Sequence, residues 1–189
     1  MKRFPFCIPT TLAVLAIATA GWAASPTLVG PHPSGGTMVA TGQLVRPAGR
    51  SVEFNGRPVD LVLSRDGKTL MVKDNQGLVM IDTATWKILQ RTSFPQGGGS
   101  MHGLTFTKDG TSVYATTAGN ALWEAKIAAG GVFTWVRSIT LPGPGGNINS
   151  AACLWGIALS PDEKTACVCL SRNNSLAVVD LESGKLKKE

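Results

Sequence analysis

A chain of 189 residues is long enough for one ordinary folded domain. Its formal net charge of +6 falls to +4 once Lys2 and Arg3 are set aside, and the cluster Lys185, Lys187 and Lys188 supplies much of the rest. The other basic residues are scattered through turns and not interleaved with aromatics on one surface, a pattern that excludes nucleic acid as the expected partner.

The chain opens with Lys2 and Arg3, continues into the apolar run LAVLAIATA over residues 12–20, and reaches the small residues Gly21 and Ala23. That order is a signal peptide over residues 1–23 with cleavage after Ala23. The apolar run falls short of the roughly 20 residues a spanning helix needs, so no membrane span is expected. Cys7 lies upstream of the run and cannot be the lipidated residue of a cleaved lipoprotein. Removing 23 of the 189 residues leaves 166.

Residues 24–41 are rich in Pro, Gly, Ser and Thr, hold neither a period of 2 nor one of 3.6, and are read as a linker. From residue 42 to residue 189 one pattern recurs, as RPVDLVLSRDGKTLMVKDNQGLVMIDTATWKILQ, HGLTFTKDGTSVYATTAGNALWEAKI and WGIALSPDEKTACVCLSRNNSLAVVDLESGKL. Aligned on the acidic turn residue, the copies place Asp66, Asp109 and Asp162 in register at spacings of 43 and 53 residues. Within each copy a short apolar strand (residues 61–63, 104–106 and 157–159) enters a turn, and a second strand leaves it (residues 70–72, 113–115 and 166–168). Asp66 with Gly67, and Asp109 with Gly110, form strong hairpin signals, because Asp bonds its own backbone and Gly tolerates positive φ. Glu163 stands where the third Gly would be, so the turn after Asp162 is expected to be of another type. A third strand follows in every copy, then a turn toward a fourth, and four short antiparallel strands make one blade of a propeller. Strands apolar on both faces suit sheets covered on both sides, and helical periodicity is missing after residue 23. The fold class is therefore all-β, a partial propeller of about three blades over residues 57–100, 101–153 and 154–189, the last lacking its outer strand. Residues 42–54 are strand-like and could complete a closing blade.

LVLSRDGKTLMVKDNQGLVMIDTATWK and IALSPDEKTACVCLSRNNSLAVVDLESGK resemble the YVTN, or YncE-type, repeats of bacterial exported β-propellers. The opening TGQLVRPAGRSVEFNGRPVDLVLS is similar to the start of proteins in which such a propeller precedes an alkaline-phosphatase-like domain. The resemblance implies a periplasmic or secreted propeller module. It also implies partners, a protein or small ligand at the propeller face, and further blades or a C-terminal domain in a longer parent. The segment SAACLWGIALS departs from the family's smooth run into its strand.

No catalytic, cofactor-binding or metal site is expected. Only His32 and His102 are available as imidazoles, and no GxSxG elbow exposes a serine. The glycine-rich stretches at residues 97–99 and 143–146 lack the Lys-Ser/Thr of a phosphate loop and are read as connections between blades. Asp60 and His102, near the starts of inner strands, are the candidates for facing a central channel. Asp66, Asp109 and Asp162 are expected to lie far apart on an outer rim. Cys153, Cys167 and Cys169 are read as small core residues, with Cys153–Cys169 the one disulfide that the hairpin would bring into range. Three functions stay open at this point: a binding or scaffold module, the propeller part of a phosphoesterase, and a lactonase-like or quinoprotein-like channel enzyme.

Overall fold

The computed structural model describes residues 28–128 and 131–189. The leader and its cleavage site at Ala23 lie outside the described residues. The chain divides into two units, Met1–Gly49 and Arg50–Glu189.

The described part of the first unit is a small antiparallel sheet of three two-residue strands, β1 (Gly30–Pro31), β2 (Thr37–Met38) and β3 (Leu44–Val45). Its first hairpin is tied by the Arg46 Nε–H donating to the Gly35 carbonyl at 3.0 Å. The stretch read as an unpatterned linker thus holds paired strands. Leu44–Val45 pairs with Thr37–Met38.

The second unit is three four-stranded antiparallel sheets in chain order. The first blade comprises β4 (Pro58–Leu63), β5 (Thr69–Asp74), β6 (Gly77–Asp82) and β7 (Ile88–Ser93). The second comprises β8 (Gly99–Phe106), β9 (Ser112–Thr117), β10 (Ala121–Ile127) and β11 (Phe133–Thr140). The third comprises β12 (Leu154–Leu159), β13 (Thr165–Leu170), β14 (Ser175–Asp180) and β15 (Lys185–Lys188). The last blade therefore has its outer strand: four residues suffice, because Val179 and Asp180 pair with Leu186 and Lys185 directly across the turn. The first strands β4, β8 and β12 pack beside one another, so consecutive blades meet along their inner edges.

Burial follows from side-chain alternation across a sheet. On β9, Val113 and Ala115 join Met71, Leu78 and Met80 of the first blade in one core, while Tyr114 joins Val168, Leu170 and Val179 of the third blade in another. A blade covered on both sides has no polar face, which is why its strands read as apolar runs. Val52 and Phe54 cover Val72, Val79 and Ile81 on the other face of the first blade.

The three turns after the first strands share one backbone. The N–H of Gly67, Gly110 and Glu163 each donates to the carbonyl of Ser64, Thr107 and Ser160 at 2.9 Å, and φ is +71°, +70° and +58°. Glu163 thus adopts the left-handed conformation of the glycines, and the different turn expected from its side chain does not occur. Asp162 fixes the loop as Asp66 and Asp109 do, accepting from the hydroxyl two residues before it and the N–H two residues after. Those bonds offset the roughly 1–2 kcal/mol that a left-handed L-residue costs.

Candidate functional site

The polar groups nearest the inner strands converge on Lys73. Its side chain is fully buried at 0% exposure, and its Nζ sits among five oxygens supplied by the second blade. These are Ser100 Oγ at 3.1 Å, the His102 carbonyl at 2.5 Å, the Gly103 carbonyl at 3.2 Å, and Thr116 O and Oγ1 at 3.2 and 3.3 Å. Burial pulls the Lys73 pKa down to about 8, opposed by the charge of Asp60. Among the described residues no carboxylate touches the ammonium; carbonyl and hydroxyl dipoles solvate it.

Asp60 turns its carboxylate across the blade boundary. Oδ2 accepts the Gly103 N–H at 2.7 Å and Oδ1 accepts the Leu61 N–H at 3.0 Å. Gly103 occupies in the second blade the position of Asp60 in the first, six residues before the turn aspartate. Its φ of +100° and the 2.0 Å separation between an added Cβ and the Trp155 carbonyl admit only glycine. The next boundary repeats the arrangement with other chemistry. Thr116, at the position of Lys73, donates to the Trp155 carbonyl at 2.8 Å, where β12 begins. Farther out, Glu124 is buried and accepts from Arg137 Nε at 2.6 Å, while Arg137 reaches the carbonyls of Leu181 and Glu182 in the third blade.

His102 is exposed, with its ring centroid 6.0 Å from that of Trp155 at an interplanar angle of 59°. The structure thus gives Asp60 a bonded role between blades and leaves His102 on the surface beside an aromatic ring. Lys73, Ser100 and Thr116 were not singled out from the sequence. A lysine inside the apolar strand LMVKD, aligned with Thr116 and Cys169, was the signal available.

The turn aspartates are spent on local bonds. Asp109 is held down to about 2 by the Thr107 hydroxyl and by the N–H and hydroxyl of Thr111, and Asp66 and Asp162 are lowered by Ser64 and Ser160 together with the following N–H. Asp66 and Asp109 do not lie far apart as expected, because turns of adjacent blades are neighbours, and the two line the same cavity. The glycine-rich residues 97–99 link the first two blades, with the Ala118 N–H donating to the Gly98 carbonyl at 2.9 Å. Cys153, Cys167 and Cys169 are free: the Cys153–Cys169 bridge that the hairpin allowed is not formed, and Cys169 is exposed rather than in the core. A register shift between Leu154 and Ile157 sets the Cys153 carbonyl opposite the Ser171 N–H, and the Cys169 sulfur beside Gly156. Among the described residues no group of three or more His, Cys, Asp or Glu is placed to hold a metal ion, and no helix is long and apolar enough to cross a membrane.

Solved structures share this arrangement. The chain is similar to a β-propeller domain from Myceliophteria thermophila, at 15% identity and a TM-score of 0.56 over 69% of this chain and 42% of that one. The fold is that of a β-propeller. Likenesses of the same kind connect this propeller to the periplasmic gluconolactonase of Pseudomonas aeruginosa (21% identity, TM-score 0.55, 69% of this chain and 39% of that one). The hydrazine synthase of Kuenenia stuttgartiensis matches at 21% identity and a TM-score of 0.58, over 76% of this chain and 38% of that one. The chain spans less than half the length of these structures. No family model matches it, and no curated protein does. At such identities the likeness carries the fold and not the chemistry.

Proposed function

We propose that this chain is an exported, YncE-type propeller module that binds and scaffolds rather than catalyses, and that its third blade receives a further blade of the same repeat. The observation that carries the reading is Leu176, 47% exposed on β14, where its counterparts Leu78 on β6 and Leu122 on β10 are at 0% beneath the next blade. Around it Gly156, Ile157, Ala158, Cys167 and Cys169 form an open, largely apolar face. Cys169 holds the position of Lys73 and Thr116, each of which bonds the first strand of the following blade. The non-catalytic reading is supported by Asp60 on β4, Lys73 on β5 and Thr116 on β9, whose polar groups are committed to bonds between blades. Export rests on the order of charged, apolar and small residues over positions 1–23.

Maleimide labelling of Cys169 tests the reading. On this account Cys169 labels readily in dilute protein and becomes protected as concentration rises and a second copy covers the face. Labelling that is independent of concentration would contradict it.

A further inference from the structure

The three turns share one backbone, but the left-handed position is glycine in the first two, Gly67 and Gly110, and Glu163 in the third. In the third turn the side chain at this position crosses to the second: Glu163 Oε1 accepts the Lys108 N–H at 2.6 Å, and Lys108 Nζ returns a bond to the Pro161 carbonyl. In repeat register Arg65 of the first turn corresponds to Lys108 of the second, and Gly110 of the second to Glu163 of the third. The carboxylate that bridges turns two and three therefore has no counterpart between turns one and two. There the structure has a cavity of about 390 Å³, whose lining includes the apolar Met80, Phe106 and Ile127 and the charged Arg65, Asp66, Lys108 and Asp109. That volume lies within the range of small-molecule pockets. Among the described residues no hydrogen bond engages the Arg65 N–H or its guanidinium. The acidic neighbours do not bar an anion. Asp66 and Asp109 are bound to donors of their own turns, and Glu163 takes its place at the second boundary beside the same kind of turn aspartate.

We propose that this cavity binds a small aliphatic monocarboxylate. The carboxylate sits on the Arg65 N–H and guanidinium, as Glu163 sits on the Lys108 N–H, and the tail lies on Met80, Phe106 and Ile127. A charged acceptor on paired N–H donors sets the orientation, and the apolar lining selects a hydrocarbon body over a second charge. The proposal does not depend on what covers the third blade.

Ligand-observed NMR and equilibrium dialysis of hexanoate with the purified chain, with 1-hexanol of the same tail length as control, test it. Hexanoate is expected to bind at one site and about tenfold more tightly than 1-hexanol, the worth of one charge-assisted hydrogen bond. Gly110→Glu, which adopts in the second turn the conformation Glu163 already has in the third, is expected to abolish binding by filling the notch from within. Arg65→Ala, at an exposed position that folding does not need, is expected to weaken hexanoate about tenfold and leave 1-hexanol unchanged. Equal binding of hexanoate and 1-hexanol, or unchanged hexanoate affinity in Arg65→Ala, overturns the proposal whether or not Gly110→Glu folds.

Discussion

Glu163 accepts the backbone N–H of Lys108 at 2.6 Å, so the third turn is fastened to the second by a residue whose own φ is +58°. Strain and bond oppose each other at one position, and two substitutions separate them. Glu163→Ala keeps the left-handed backbone and loses the bond, and is expected to destabilise by about 1–2 kcal/mol. Glu163→Gly loses the same bond but regains about 1 kcal/mol of backbone strain, so it should be the milder change. Denaturant midpoints measured side by side check the order. Glu163→Ala more stable than Glu163→Gly would contradict it.

Lys73 is a cation held by dipoles, and removing it takes one donor group away from five oxygens whose other side-chain hydrogen bonds run among themselves and to Trp155. Lys73→Met is expected to cost about 3 kcal/mol or more. The pH dependence has a definite sign. The folded pKa of about 8 lies below the ordinary 10.5, so between those values the unfolded chain binds more protons than the folded one. Stability from this group therefore rises from pH 8 toward pH 10.5, and below pH 8 the burial penalty is present in full, at most about 3 kcal/mol. Unfolding free energies of wild type and Lys73→Met across pH 7–10 should show the gap widening as pH rises. A constant gap would place the Lys73 ammonium at its ordinary pKa.

Gly103 has no room for a methyl group, which would lie 2.0 Å from the Trp155 carbonyl and 2.1 Å from Thr116 Oγ1. Gly103→Ala is expected to cost about 3 kcal/mol or more by forcing β8 away from β12 at a backbone already at φ +100°. Gly67→Ala, where a Cβ meets open space, carries only the left-handed cost of about 1 kcal/mol. Comparable melting temperatures for the two variants would contradict the close approach of the second and third blades.

Cys153, Cys167 and Cys169 should all react as thiols. Ellman titration of the unreduced, denatured chain lacking residues 1–23 is expected to count three. A count of one would restore the Cys153–Cys169 bridge.

The blades were legible because one local signal repeats: an Asp in a tight turn between apolar runs fixes where two strands begin and end. Glu163 was misread because glycine is the usual occupant of a left-handed turn position, and the bond that stabilises Glu163 there comes from another blade, 55 residues away. Lys73, Thr116 and Cys169 escaped notice for a related reason. They share a place in the repeat and no chemistry, so only the structure shows that two of them act on the next blade's first strand. The cavity beside Arg65 was invisible in sequence because its lining comes from separate turns and strands, with Arg65 and Met80 in the first blade and Phe106, Lys108 and Ile127 in the second.

The central claim is that the face of the third blade around Leu176 is built to meet another blade. Size-exclusion chromatography with light scattering on residues 24–189, followed by thermal melting, tests it most directly. The account predicts concentration-dependent association through this face, reduced by Leu176→Arg, and a melting temperature that rises with concentration because assembly stabilises the folded chain. A monomer at all concentrations, melting cooperatively at one temperature whether or not Leu176 is replaced, would contradict it.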